Sequence, residues 1–367
     1  MTHYERAVAE KLEQIRQKPR VRILAIETSC DETAAAVIEN GRTVLSNVVH
    51  TQIPLHVPFG GVVPEIASRS HVQKIGSVVR RALEEANLSL TELDAVAVTN
   101  GPGLVGALLV GLSYAKGLAY AAGLPFLGVH HIASHIAANY LSYPELEPPF
   151  TCLVASGGHS HIIAVEDYEC YRLIGRTRDD AAGEAFDKVA RVLGLSYPGG
   201  PNLEKLAREG DPTRYRFHSA FNEGDGYDFS FSGIKTAVVN RLHNAEQAGE
   251  TVNRADLAAS FQKTVVDILA EKSVRAAKAQ AGEAGTKLAL AGGVSANRAL
   301  REAMEKRAAA AGIAFYCPDF KYCTDNAAMV GSAAYGKLMR GQLDALSLNA
   351  VPYLSIEESS QKSNAMA

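Results

Sequence analysis

Two histidines four residues apart, His131 and His135 in the segment VHHIASH at 129–135, are the side chains whose type and spacing most directly offer chemistry. Residues 131–141 read as a helix. On a helix, positions i and i+4 share a face one turn apart, so two imidazoles there can grip a single metal ion. His130 lies about 100° off that face and stays outside the pair. Two ordinary histidines on a half-buried helix would look the same, so further ligands must come from elsewhere. Asp325, in YCTDN at 322–326, opens the last helix and is the natural third ligand, although an acid there would also suit the helix dipole. Two His and one carboxylate leave coordination positions open for substrate and suit Fe(II) or Zn(II).

Other polar segments fall at bends. TSCDET at 28–33 joins two strands, and its hydroxyls and backbone N–H groups could cradle phosphate. Its adjacent acids, Asp31 and Glu32, would repel an anion and make more sense near a metal or as a general base; taken alone, the segment also fits a solvated turn. SGGH at 156–159 is the matching bend of the second half, where paired glycines allow close backbone approach. GGVSAN at 292–297 sits between a buried strand and a helix. Its glycines leave room for a flat ring, Asn297 can hydrogen-bond a nucleotide, and Ser295 is the expected helix cap. In DDAAGEAFDK at 179–188, Asp179 and Asp180 suit the helix dipole, while Asp187, with YPGGP at 197–201, could line a cleft. The window 69–81 holds Arg69, His71, Lys74, Arg80 and Arg81 without an acid; it fits nucleic acid or a solvated helix face equally well.

The elements that must carry these groups repeat. Strands at 22–26, 34–39 and 43–49 lead to a helix at 64–87, a strand at 95–99, a helix at 104–122, a strand at 126–129 and the histidine helix. The pattern then restarts, with strands at 151–155, 161–165 and 171–174. Helices follow at 182–194, 201–209, 234–246 and 255–281, a strand at 287–291, a helix at 295–311, a strand at 314–317 and a helix at 326–340. Such a repeat predicts two similar α/β lobes with a ligand cleft between them. The expected division is an N-terminal extension (1–20), a first lobe (21–150) completed by the helix 325–342, a second lobe (151–324) and a flexible tail (343–367).

Length and composition agree with this plan. The 367 residues exceed one ordinary core, and 47% hydrophobic with 21% charged residues describes a soluble globular protein. A net charge of −3 argues against a whole-surface nucleic-acid binder but allows a local basic patch. Five scattered cysteines, no CxxC and no secretory leader fit reduced thiols in the cytoplasm. The longest uncharged run, 96–115, is broken by NGPG at 100–103, so no membrane span is expected.

Taken together, ILAIETSCDETAAAV at 23–37, FGGVVPEIASRSH at 59–71, NGPGLVGALLVG at 100–111, VHHIASH at 129–135 and SGGHSHI at 156–162 closely resemble the universal tRNA N6-threonylcarbamoyladenosine transferase family in its bacterial form. DDAAGEAFDKVARVLGLSYPGGP at 179–201, DFSFSGIKTA at 228–237, LAGGVSANRALR at 290–301 and CTDNAAM at 323–329 extend the likeness over about 21–340. The resemblance implies the actin-like ATPase fold. It implies transfer of the threonylcarbamoyl group from threonylcarbamoyl-adenylate to the exocyclic amine of the adenosine 3′ to the anticodon, in tRNAs reading codons that begin with A. It also implies that His131, His135 and Asp325 hold a divalent metal, usually iron and sometimes zinc. Val154, Ala155, Ser156, Gly157, Gly158, Asp187, Gly200 and Asn297 would bind the adenylate, and Glu204 stands where relatives often carry an Asp touching the ribose. A smaller paralogous partner protein and a P-loop ATPase are the implied companions. Ile132, Ala133 and Ser134 depart from the Met or Leu, Glu and Gly of many relatives, which touches only the surroundings of the ligands. The metal would act as Lewis acid, with Asp31 or Glu32 accepting the proton of the attacking amine.

Rival readings fare worse. A zinc protease of the HExxH type needs Glu after the first His, and Ile132 stands there. An ATP-dependent small-molecule kinase of the same fold would use the glycine bends but leave the metal set idle. A non-catalytic scaffold would have no use for His131, His135 and Asp325.

Overall fold

The structure, a computed structural model, describes residues 3–219, 221–280 and 286–358. After helix α1 (His3–Arg16), strands β1 (Arg22–Glu27), β2 (Glu32–Glu39) and β3 (Thr43–Thr51) form an antiparallel meander. Asn40 and Gly41, at φ of 51° and 68°, make the β2–β3 hairpin turn, which needs two left-handed residues. Helices α2 (Ile53–His56) and α3 (Pro64–Glu85) lead to β4 (Ala95–Gly101), α4 (Val105–Ala122), β5 (Phe126–His130) and α5 (His131–Ser142). β4 joins β1 in parallel and β5 joins β4, giving the order β3-β2-β1-β4-β5. Parallel neighbours need long crossovers, which α3 and α4 supply.

The second half repeats the plan. Strands β6 (Phe150–Ala155), β7 (Ser160–Asp167) and β8 (Cys170–Arg176) form a meander. Helices α6 (Ala182–Val192), α7 (Gly199–Ala207), α8 (Ser232–Gln247) and α9 (Arg254–Ala279) precede β9 (Lys287–Ala291), α10 (Arg298–Ala310) and β10 (Ala314–Tyr316). The sheet order β10-β9-β6-β7-β8 is that of the first sheet, strand for strand. The last helix, α11 (Ala327–Met339), returns to the first lobe and packs on β1, β2 and α5.

One hydrophobic cluster joins the lobes. Ile23, Ala25 and Ile38 of the first sheet and Cys152, Val154 and Ile163 of the second meet through Ile132, Ile136 and Ala137 of α5 and Ala328 and Ala333 of α11. Every residue of α5 from His131 to Tyr140 is buried, the condition of a helix enclosed on all sides. Its alanines let neighbours approach closely, and the Asn139 amide donates to the carbonyl of Leu290 in β9 (3.1 Å).

Two expectations change. Helix α4 is, among the described residues, the one helix long and apolar enough to cross a membrane. It instead buries Ala107, Leu108, Leu112, Ala115 and Ala119 in packing on β4 and α3, and its Lys116 ammonium donates to the carbonyl of Leu348. The tail expected to be flexible from 343 is held along the first lobe and reaches β8 of the second by 357; residues 359–367 lie outside the described residues. The Asp344 carboxylate accepts from the Gly128 amide (2.8 Å), the Val351 amide donates to the Asn100 carbonyl (2.8 Å), and Glu357 accepts from the Leu173 amide in β8 (3.1 Å). Backbone groups do most of this pairing, so the polar, serine-rich composition gave no sign of it. Ile356, only 4% exposed, anchors the strap in the shared cluster. Ile356→Ala should therefore cost about 2–5 kcal/mol. A urea-unfolding midpoint equal to the unsubstituted protein's would show that the strap does not help close the core.

Candidate functional site

β5 runs straight into α5. His130 Nδ1 accepts from the Ile132 amide (3.1 Å) and caps the helix, while His130 Nε2 donates to the Leu354 carbonyl (3.1 Å). Burial, with the His131 charge beside it, holds His130 down at about 3, so the ring is neutral and structural. His131 and His135 follow on the shared face, ring centroids 4.6 Å apart.

Asp325 sits just before α11. The cap of that helix is Asn326, whose side chain accepts from the Met329 amide (3.1 Å), leaving Asp325 free to face the histidines. Its Oδ1 lies 3.2 Å from His135 Nε2 and 3.6 Å from His131 Nε2, and the three ligand atoms fall within 4.8 Å of one another. Among the described residues, neither ring nitrogen of buried His135 has a well-aligned hydrogen-bond partner, although the Asp325 carboxylate is within 3.2 Å. Close approach without hydrogen-bond alignment is what ligands aimed at a shared ion display, so the residues fit a divalent metal. Electrostatics agree. Burial opposes a charged His131, but Asp325 and Glu27 outweigh it and raise the ring to about 9. Burial likewise opposes the Asp325 charge, yet His131 and His135 hold it down at about 2.

The acidic turn faces this triad. β2 begins at Glu32, one residue earlier than the end of the expected bend, so Asp31 closes the turn and Glu32 starts the strand. Burial first, then the charges of Asp325 and Asp31, push Glu32 up to about 10, while Thr51 donates to it (3.1 Å). With no metal bound, burial and the neighbouring carboxylates favour the protonated form of Glu32. Across the lobes, the Tyr197 hydroxyl reaches Asp31 Oδ2 (3.5 Å), and Arg191 donates to the Gly60 carbonyl (2.5 Å).

At the ends of β6 and β9 the two glycine bends lie side by side. Val154 pairs with Ala291, and Gly292, at φ 87°, lies against the Ala155 carbonyl where a Cβ would clash. The Ser156 hydroxyl accepts from the His159 amide (3.1 Å), and Gly157 and Gly158 are exposed at the tip. Asp187 accepts from the Gly200 amide (3.0 Å), joining α6 to α7. Burial pushes this carboxyl up, and the Gly200 and Gly199 amides offset part of that. Asn297, rather than the expected Ser295, caps α10: it accepts from the Leu300 amide (3.0 Å) and donates to Gln262 (2.8 Å). A cap needs extended backbone, which Asn297 has, whereas Ser295 lies inside a preceding 3-10 turn with its hydroxyl unpartnered. Glu204 accepts from the neighbouring Arg298 amide (3.2 Å) and from Arg208 (2.8 Å).

The basic window 69–81 is not one face: Arg69 and Arg80 are exposed and Arg81 pairs with Glu85 (2.7 Å), but His71 is fully buried. His71 Nε2 donates to the Cys30 carbonyl (2.9 Å) and Thr33 bonds its Nδ1 (2.8 Å), so it buttresses the acidic turn. Sequence reasoning passed over His71 in that role, and also Glu27, an acid ending the otherwise apolar β1. Its one signal was a carboxylate where strand periodicity asks for an apolar side chain.

The profile of the tRNA N6-adenosine threonylcarbamoyltransferase family matches residues 43–332. The chain belongs to that family. Proteins of the same description from Caldicellulosiruptor saccharolyticus and Clostridium botulinum strain 657 are 56% and 54% identical, over 91% and 93% of this chain and 98% and 99% of their own. It is thus a transferase acting on tRNA, an acyltransferase by chemistry. Among solved structures, HypF of T. kodakarensis superposes with a TM-score of 0.59 at 15% identity, covering 90% of this chain and 49% of that one. Component A of the Acidaminococcus fermentans (R)-2-hydroxyglutaryl-CoA dehydratase gives 0.54 at 14%, covering 87% and 99%. At these identities the likeness is one of fold, and the fold is the two-lobed one of actin-like ATPases.

The proton on Glu32 carries a stability signature. Unfolded, the group titrates near 4.5; folded, near 10, so folding takes up a proton between those values and stability falls as pH rises through them. Glu32→Gln should raise the melting temperature of the metal-free enzyme at pH 8, with the gain shrinking toward pH 5. A gain that is absent at pH 8 would mean that the carboxyl is ionised in place.

Proposed function

We propose that this transferase takes the threonylcarbamoyl group from threonylcarbamoyl-adenylate and delivers it to the exocyclic amine of the adenosine 3′ to the anticodon, in tRNAs reading codons that begin with A. The carrying observation is the convergence of His131, His135 and Asp325, from two distant parts of the chain, to within 4.8 Å of one another. In this reading His131, His135 and Asp325 hold one divalent ion, iron(II) first and zinc(II) second, as two nitrogens and one carboxylate suit. When bound, that ion supplies Lewis-acid stabilisation of the carbamoyl oxygen.

The chain's own groups do the rest. Backbone from Val154 to Gly158 cradles the phosphate end of the adenylate, with Ser156 held in shape by His159. Asp187 and Gly200 bind one side of the donor, Glu204 approaches the ribose, and Asn297, its amide already engaged, shapes the adenine wall. Asp31 takes the role of base. The amine nitrogen attacks the carbamoyl carbon, AMP leaves with the C–O bond's electron pair, and the amine proton passes to Asp31. Glu32, already protonated, donates within the turn.

The partners we assign are a smaller paralogous protein and a P-loop ATPase, in the cytoplasm where tRNA is found. Support for the first is an apolar face on α3 and α4. Gly106 abuts Ser68 and Gly76 lies near Tyr114, so α3 and α4 pack closely, and each helix exposes an apolar side chain, Val72 (65% exposed) on α3 and Leu109 (42% exposed) on α4. Exposed apolar patches of this sort mark protein contacts.

Incubating the enzyme with threonylcarbamoyl-adenylate, partner proteins and unmodified tRNA, then digesting the tRNA, should yield the modified adenosine. Asp31→Asn should lower kcat by about 10²–10⁴, and Glu32→Gln by clearly less. Phosphorylation of a small molecule, with no modified nucleoside formed, would replace this reading with a kinase. The pair Val72→Asp and Leu109→Asp should abolish co-elution with the paralogous partner while leaving metal content intact; undiminished co-elution would put the partner elsewhere.

A further inference from the structure

We infer that Glu27 is the positioning residue of the metal centre: its buried carboxylate fixes the His131 tautomer that turns Nε2 toward Asp325 and the ion. The inference rests on the metal reading of the triad and is independent of which acyl donor the enzyme uses.

Glu27 ends β1 and is fully buried. Its Oε1 accepts from the Ser29 amide (2.5 Å), and its Oε2 accepts from the Thr99 hydroxyl (2.6 Å) and from His131 Nδ1 (3.2 Å). A carboxylate taken out of water is costly unless paired, and among the described residues its ion pair is with His131, not with a lysine or arginine. An ionised carboxylate can only accept, so the proton the ring keeps when a metal displaces the other sits on Nδ1, and the Nε2 lone pair goes to the metal.

The need for such a group is visible in the neighbour. Ser29 Oγ also lies 3.2 Å from His131 Nδ1, and a hydroxyl can donate as readily as accept. With Ser29 alone, the ring could carry its proton on Nε2, the form that cannot ligate. Glu27 excludes that form. Among the described residues His135 has no equivalent partner at Nδ1, so the centre is oriented from the His131 side. Thr99, on β4, and the Ser29 amide tie the carboxylate to two central strands, so the ring inherits the rigidity of the sheet. Carboxylate partners of this kind also raise the basicity of the ligating nitrogen.

The test is zinc(II) affinity of the metal-free enzyme, measured by competition with a chromogenic chelator. In Glu27→Gln one oxygen remains. If it faces the Ser29 amide, the NH2 group faces Nδ1 and drives the proton to Nε2; if it faces Nδ1, the NH2 group meets the Ser29 N–H donor. Zinc affinity should fall about 10–100-fold, with a changed visible spectrum of the cobalt(II)-loaded protein. Glu27→Asp keeps the charge but withdraws it by one methylene, and should lose less; if the Gln variant does not fold, the Asp variant decides. Wild-type zinc affinity in the folded variant, beside a large loss in His131→Ala, would overturn the role of Glu27. Wild-type affinity in His131→Ala itself would overturn the metal reading, and this inference with it.

Discussion

The structure depends on one helix being buried from every direction. α5 lies between the two sheets, and the cluster around it contains side chains of both lobes and of α11. A helix in that position must be short-chained where neighbours approach, which Ala133, Ala137 and Ala138 provide, and must satisfy its few polar groups internally, as Asn139 does on Leu290. Its first residues are the exception. His131 and His135 are imidazoles buried in the junction, and their position ties the chemistry to the joining of the lobes.

That junction collects more negative charge than two histidines can balance. Glu27, Asp31, Glu32 and Asp325 all act on the same small region, and the chain answers in three ways. Glu27 and Asp325 share His131, Glu32 is pushed toward its protonated form, and Asp31 meets the hydroxyl of Tyr197. Carboxylates crowded in low dielectric are forced apart in pKa, and the groups so separated can take different roles. The arrangement is built for an added cation. It is costly to stability in the absence of one, as functional sites commonly are.

Around this centre the duplicated lobe supplies matching parts. The bend after β1 carries acids and the bend after β6 carries glycines, so equivalent positions of one repeated plan differ in charge and in backbone freedom. The strap of 343–358 adds a third tie, running from the ends of β4 and β5 to β8.

The sequence by itself determined the repeat, the strand and helix plan, the His131 and His135 pair, and the family, because periodicity, glycine bends and motif order are local properties of the chain. It also offered Asp325 as a third ligand by its type and its place at a helix start, and the structure brings that carboxylate to the two imidazoles. Tertiary structure alone decided the rest. Asn297 reads as a ligand contact, and only the fold shows that its amide also caps α10 and bonds Gln262, a partner 35 residues earlier. His71 reads as part of a basic face but supports Cys30 from beneath. Glu32 shows nothing in sequence to mark it off from its neighbour Asp31, and only the tertiary surroundings, burial with Asp325 and Asp31 beside it, raise its carboxyl far above the usual range. Protonation, tautomer and hydrogen-bond partner depend on which distant groups share a low-dielectric space, and no local pattern records that.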